Sequence, residues 1–147
     1  MNPLESPESA YSFFNATAFF AWLILAIAPH SETIRKILAN LVITFFAVCY
    51  AYLLISTFQL DSFSEFSTLE GLQSLFSDPL AVVTGWIHYL AFDLLAGIFI
   101  AKDASKLGFS RGIIPLFLLF TFMAVPLGWL IYWVARTAKT RGSMVAV

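Results

Sequence analysis

Four long apolar stretches, broken by short polar segments, run along this 147-residue chain. They cover residues 13–28, 37–58, 80–101 and 113–135, and the first ends at Pro29-His30. About 20 apolar residues in a helix cross the roughly 30 Å hydrocarbon core of a bilayer. Backbone in lipid must satisfy its own hydrogen bonds, so each stretch predicts a helix. The pattern predicts an all-α integral membrane four-helix bundle, a single transmembrane domain over residues 1–147. The only long connection is Asp61–Asp78. Within it, Ser67-Thr68-Leu69-Glu70 reads as a capping box. Phe66, Leu69, Leu72, Leu75 and Phe76 follow at near-helical spacing. A short amphipathic interfacial helix is expected there, between spans 2 and 3. Asp78-Pro79 stops it and starts the third span. Gly85, Gly97 and Gly128 invite close helix approach, and Pro126-Leu127-Gly128 predicts a kink in the fourth span.

Composition agrees with the pattern. Hydrophobic residues make up 60% of the chain and charged residues only 12%, against about 25% charged in an ordinary soluble domain. Mean hydropathy is +0.85. The net charge of −1 argues against nucleic acid as a partner. Sixteen Phe suit lipid-facing surface and interfacial belts, or a groove for a long apolar ligand. The single cysteine, Cys49, forms no internal disulfide and lies in an apolar run. No Lys or Arg precedes Arg35, so the N-terminus matches neither a secretory signal nor a transit peptide. Loop one carries Arg35 and Lys36, and loop three carries Lys102, Lys106 and Arg111. By the positive-inside rule these loops are cytoplasmic and both termini lie outside. Arg136, Lys139 and Arg141 oppose that orientation, three basic residues against five.

Candidate chemistry concentrates in the third span, at Trp86-Ile87-His88-Tyr89-Leu90-Ala91-Phe92-Asp93. Ionisable groups at mid-membrane are costly and usually face the protein interior or a cavity. His88 and Asp93 are five apart, about 140° around a helix, whereas Trp86, Tyr89 and Asp93 share one face. Apolar burial favours the neutral forms of both ionisable groups. Asp93 would then hold a proton near neutrality and His88 would be a neutral base. Asp93, His88 and Tyr89 are thus the catalytic candidates. Trp86, Phe92 and Asn15 are the substrate-binding candidates. A Tyr89–Asp93 hydrogen bond that merely locks helices together is the alternative. His30, at a membrane edge, makes a metal site with His88 and Asp93 unlikely in depth, and neither a metal nor a cofactor is expected.

At three segments the chain resembles the ABA4-like family of small four-helix membrane proteins. These are Phe13-Phe14-Asn15 through Ala28-Pro29, Trp86 through Asp93, and Pro126-Leu127-Gly128 through Arg136. The resemblance implies carotenoid metabolism. The plant founding member is required to make neoxanthin from violaxanthin, an epoxide-to-allene isomerisation. No catalytic residues carry over from the family. Epoxide opening needs a proton delivered to oxygen and another removed from carbon, which suits a buried carboxylic acid and an imidazole. The expected protein is a carotenoid isomerase or cyclase-like enzyme of a bacterial plasma membrane or cyanobacterial thylakoid membrane. A non-catalytic carotenoid-binding or assembly partner of another membrane enzyme stands beside it, with a small transporter or proton-relay subunit as a third reading. Expected partners are the lipid bilayer, a carotenoid-like apolar ligand, and a second copy or a carotenoid enzyme.

Overall fold

The computed structural model describes residues 6–57 and 60–140. All regular structure among them is helical. Helix α1 (Pro7–Ile27) starts where the Ser6 hydroxyl accepts from Ser9 N at 3.2 Å, with Pro7 supplying a preset φ at the first turn. Ala28 leaves helical geometry ahead of Pro29. The chain returns as one 26-residue apolar rod, Glu32–Thr57. The rod comprises α2 (Glu32–Ile37), a π-helical segment (Leu38–Ile43) and α3 (Thr44–Thr57).

A 3-10 helix (Leu60–Ser67) and the short α4 (Leu69–Leu75) follow. The cap of α4 is Thr68, whose hydroxyl accepts from Gly71 N at 3.1 Å, not the expected Ser67. The 3-10 helix leaves Ser67 outside the first turn of α4. Gly71 rests on the Glu65 backbone; a Cβ there would lie 2.4 Å from the Glu65 carbonyl oxygen. Phe66 of the 3-10 helix, Leu69 of α4 and Phe76 just after it are exposed. Asp78 then caps α5 (Pro79–Lys106) by accepting from Leu80 N at 2.8 Å, and α5 runs 28 residues, past the expected end at residue 101.

The α1 helix, the α2–α3 rod and α5 are each long and apolar enough to cross a membrane. Helices α1 and α5 run side by side in the same direction: Trp86 Nε1 donates to Asn15 Oδ1 at 3.0 Å, and further along the Trp22 ring lies over Gly97. The rod returns against both, with Phe46 on Phe14 (ring centroids 5.4 Å) and Tyr50 on His88 (5.2 Å).

The fourth apolar stretch does not form one kinked span. It folds as α6 (Ile114–Met123) and α7 (Val125–Thr140), separated by Ala124 alone in extended geometry. The two helices double back on each other. A Cβ on Gly128 would lie 2.3 Å from Thr121 Cα and N, and the Phe117 and Tyr132 rings, fifteen residues apart, stack edge-on at 5.3 Å. Pro126 cannot continue α6, since its ring would meet the carbonyl four residues back. Gly128 lets the returning backbone touch Thr121. The sequence-predicted kink is therefore a full reversal.

That reversal corrects the charge conflict. The end of α7 lies beside the end of α5: Arg136 Nε donates to Asp103 Oδ2 at 2.8 Å, and Lys139 Nζ donates to the Gly108 carbonyl at 3.2 Å. Arg136 and Lys139 thus sit at the same end as Arg35, Lys36, Lys102, Lys106 and Arg111, and α1 starts at the opposite end from where α7 finishes. Arg141 lies outside the described residues. The other end of the bundle carries Glu8, Glu65, Glu70 and Asp78.

The core divides accordingly. At the basic end Trp22, Leu25, Leu94 and Ile98 pack with Ile114, Phe117, Leu118 and Tyr132 of the hairpin. At the acidic end Phe14, Phe46, Leu53, Val83, Ile87 and Leu90 pack without it. The ten residues of α6 span about 15 Å. Phe122, near the tip, meets Trp22 at 5.6 Å, the level of Gly97.

Candidate functional site

Where the hairpin stops, a strip of aromatic and polar side chains begins. Trp86 is its centre. Its ring stacks on Tyr89 (5.3 Å, 25°) and lies against Tyr11 of α1 (5.7 Å). Its indole N–H is held by Asn15. Asn15 in turn donates its amide to the Tyr11 carbonyl at 2.9 Å, so one short side chain fixes both helices. Asp93 sits one turn beyond Tyr89 on the same face of α5. Asp93 is only 6% exposed, whereas Tyr89 is 41% exposed. The carboxyl is thus inside the protein and the phenol stands at its rim. One further turn along is Gly97, under Trp22. The strip therefore ends just below the hairpin tip, where Met123 is exposed.

At its outer end the strip opens into a cleft of about 370 Å³ between the starts of α1 and α5, whose lining includes Glu8, Tyr11, Ser12, Ser77, Pro79 and Val82. Beyond its inner end an apolar groove of about 340 Å³ lies between α1 and α6, lined by Phe19, Trp22, Leu23, Leu116, Leu119 and Phe122. Tyr11, Asn15, Phe19 and Leu23 recur every four residues, so α1 presents one continuous face along the cleft, strip and groove.

Four predicted site residues come together here: Asp93, Tyr89, Trp86 and Asn15. Two do not. His88 is exposed on the other side of α5, against Tyr50 of the rod, with Phe92 at 4.7 Å. The expectation that His88, like Asp93, faces the bundle interior is overturned. Five residues of helix carry its ring out of the Asp93 face, and the buried stripe of α5 runs through Ile87, Leu90, Asp93 and Leu94 instead. Phe92 shares the His88 side and is 59% exposed, so it lines no pocket with Trp86. Among the described residues no three His, Cys, Asp or Glu side chains converge as a metal site would need.

Sequence reasoning missed Tyr11, whose signal was its four-residue spacing from Asn15. It also missed a second polar cluster. Asp103 accepts from the Tyr132 hydroxyl and from Arg136, whose side chain is 5% exposed. Tyr132 and Arg136 stand four apart on α7, a spacing that puts both on one face. This cluster clamps the hairpin to α5.

No curated protein and no solved structure matches the chain. A family model described as ABA4-like (ABA DEFICIENT 4-like) matches residues 9–132, which take in the strip, the hairpin turn and Asp103, and the chain belongs to that family.

Proposed function

We propose that this chain is an integral membrane protein of xanthophyll metabolism that takes the oxygenated end group of a carotenoid at the Tyr11–Asn15–Trp86–Tyr89–Asp93 strip. The observation that carries the reading is the placement of Asp93, a carboxyl buried in an apolar helix at the inner end of an aromatic face. The family's description, ABA DEFICIENT 4-like, points to the synthesis of abscisic acid, to which neoxanthin leads. The grooves along α1 suit the apolar remainder of such a ligand.

One carboxyl suffices for an isomerisation at this strip. Protonated Asp93 gives its proton to an epoxide oxygen as the carbon–oxygen bond opens. The tertiary cation that forms is stabilised by the faces of Trp86 and Tyr89. The Asp93 carboxylate left behind then takes a proton from the adjoining carbon, which closes the new double bond and restores the acid. Tyr89 orients the carboxyl throughout. His88, on the far side of α5, has no part in these steps. Its position also favours the second reading, a carotenoid-binding partner without turnover, over a two-residue acid–base enzyme.

The test has two arms. The purified protein is expected to carry a carotenoid absorption spectrum; a colourless protein from pigmented cells refutes binding. Asp93→Asn keeps size and most hydrogen bonding but no titrating proton. In cells it is expected to stop conversion at unchanged protein level. An unchanged pigment profile, with pigment still bound, removes the acid and leaves the binding partner.

The same reading proposes three crossings and one re-entrant hairpin. Seven of the eight Lys and Arg lie at one end, which the positive-inside rule makes cytoplasmic. In a Cys49→Ser background, Lys139→Cys and Lys36→Cys should label from the cytoplasm and Glu70→Cys from the opposite side. Labelling of Lys139→Cys together with Glu70→Cys refutes the hairpin.

A further inference from the structure

His88 stands where an imidazole has no reason to be. It is exposed near the middle of α5, in a helix otherwise apolar from Pro79 to Ala101 apart from Asp93 and a few small or hydroxyl-bearing side chains. The Tyr50 and Phe92 rings pack against it at 5.2 and 4.7 Å. No hydrogen-bond partner for its nitrogens is found among the described residues. An unpartnered polar group facing hydrocarbon costs several kcal/mol. The ring also borders a groove of about 280 Å³, otherwise lined by Ile43, Ala47, Tyr50, Ala91, Phe92 and Leu95. Ala47 and Ala91 give the groove its depth. Ile43 is the last residue of the π-helical segment, so the rod changes pitch where the groove begins. Such π segments recur at functional sites.

We infer that the groove between α3 and α5 is a second intramembrane binding site, for a long apolar lipid bearing a hydrogen-bonding oxygen that His88 engages. The chemistry follows from the lining. Aliphatic and aromatic walls admit only an apolar body, and the imidazole supplies the hydrogen-bonding nitrogens. A free aliphatic chain would leave the imidazole bare, whereas a hydroxyl or keto oxygen satisfies it. Helix α5 separates this groove from the Asp93 strip, so the inference stands or falls independently of the proposed acid.

The chain has two histidines, His30 and His88, so 15N-histidine NMR of the protein in lipid nanodiscs reads the site directly. Zeaxanthin, with a hydroxyl on each end ring, is the probe, and β-carotene, the same skeleton without oxygen, is its control; His30→Gln assigns the signals. The His88 nitrogens are expected to shift with zeaxanthin and not with β-carotene. Ala47→Trp, which fills the groove from the rod side, should abolish the shift and leave any response of the Asp93 strip untouched. His88→Phe should weaken zeaxanthin binding at this site about tenfold. Equal shifts with both pigments, or none with zeaxanthin, overturn the inference. A His88 signal that responds only to protein-to-lipid ratio also overturns it, assigning the face to a second copy of the chain.

Discussion

The two halves of this molecule are built to different plans. At the basic end five helices converge: α1, the rod, α5 and both arms of the hairpin. Side chains there interlock tightly, with Trp22 over Gly97, Phe117 on Tyr132, and Asp103 shared by Tyr132 and Arg136. At the acidic end, among the described residues, α1, the rod and α5 continue without the hairpin, with the 3-10 helix and α4 at their ends. The aromatic strip lies there. The contrast teaches that the missing half-span is what leaves the strip accessible: a full fourth crossing would have buried Tyr89 and Trp86 under another helix. The closed half fixes geometry, and the open half holds the strip proposed to take the ligand.

The comparison can be broken from the closed side first. Asp103→Leu removes the carboxylate that two buried donors share. It should cost about 3–5 kcal/mol, the range for taking one partner from a buried ion pair. Denaturant unfolding in detergent would measure it, and Asp103→Glu should recover part of the loss. Gly128→Val places side-chain atoms against the Thr121 backbone, where neither helix can give way. About 3 kcal/mol of destabilisation is expected, toward the upper end for overpacking. Proteolysis near Ala124 should rise with it as the hairpin splays. Gly97→Val forces the Trp22 ring aside and should cost about 1–3 kcal/mol. Because Trp22 also meets Phe122, a double mutant of Gly97→Val with Phe122→Ala should be less than additive. On the open side the effects on stability shrink. Trp86→Phe loses the Asn15 hydrogen bond, worth about 1 kcal/mol, and keeps most of the ring stack. Its loss of bound pigment should nonetheless exceed that of any closed-half variant at matched protein level. If Gly97→Val and Trp86→Phe cost equal stability and equal pigment, the two halves are not functionally distinct.

Much of this was legible in the sequence, and the failures have physical causes. Hydropathy located every long helix, and Asp78-Pro79 gave the start of α5 to the residue. Rotation by 100° per residue placed Trp86, Tyr89 and Asp93 on one face and His88 on another. The same rotation contradicted the expectation that His88 would lie inside, which rested on the cost of exposure alone. The hairpin was hidden because residues 113–135 form an unbroken apolar run, and hydropathy does not distinguish one helix across a membrane from two halfway in. Pro126 and Gly128 carried the information, but a kink uses the same residues as a reversal. What separates them is whether Gly128 meets another backbone, and that is a tertiary fact. Asp103 escaped notice because a charge near a helix end reads as a solvated flank, while its partners lie about thirty residues later in the chain.

In the proposed topology of three crossings and a re-entrant hairpin, the single-residue turn at Ala124 bears on how the chain would enter a membrane. A hairpin whose two arms begin and end on one side never carries Arg136 or Lys139 across the bilayer. Once α5 is in place, such a hairpin requires only the sinking of an apolar wedge, which Asp103 then latches at the basic end. In that topology the last segment can insert after the three long helices have assembled, docking on them through Tyr132 and Arg136.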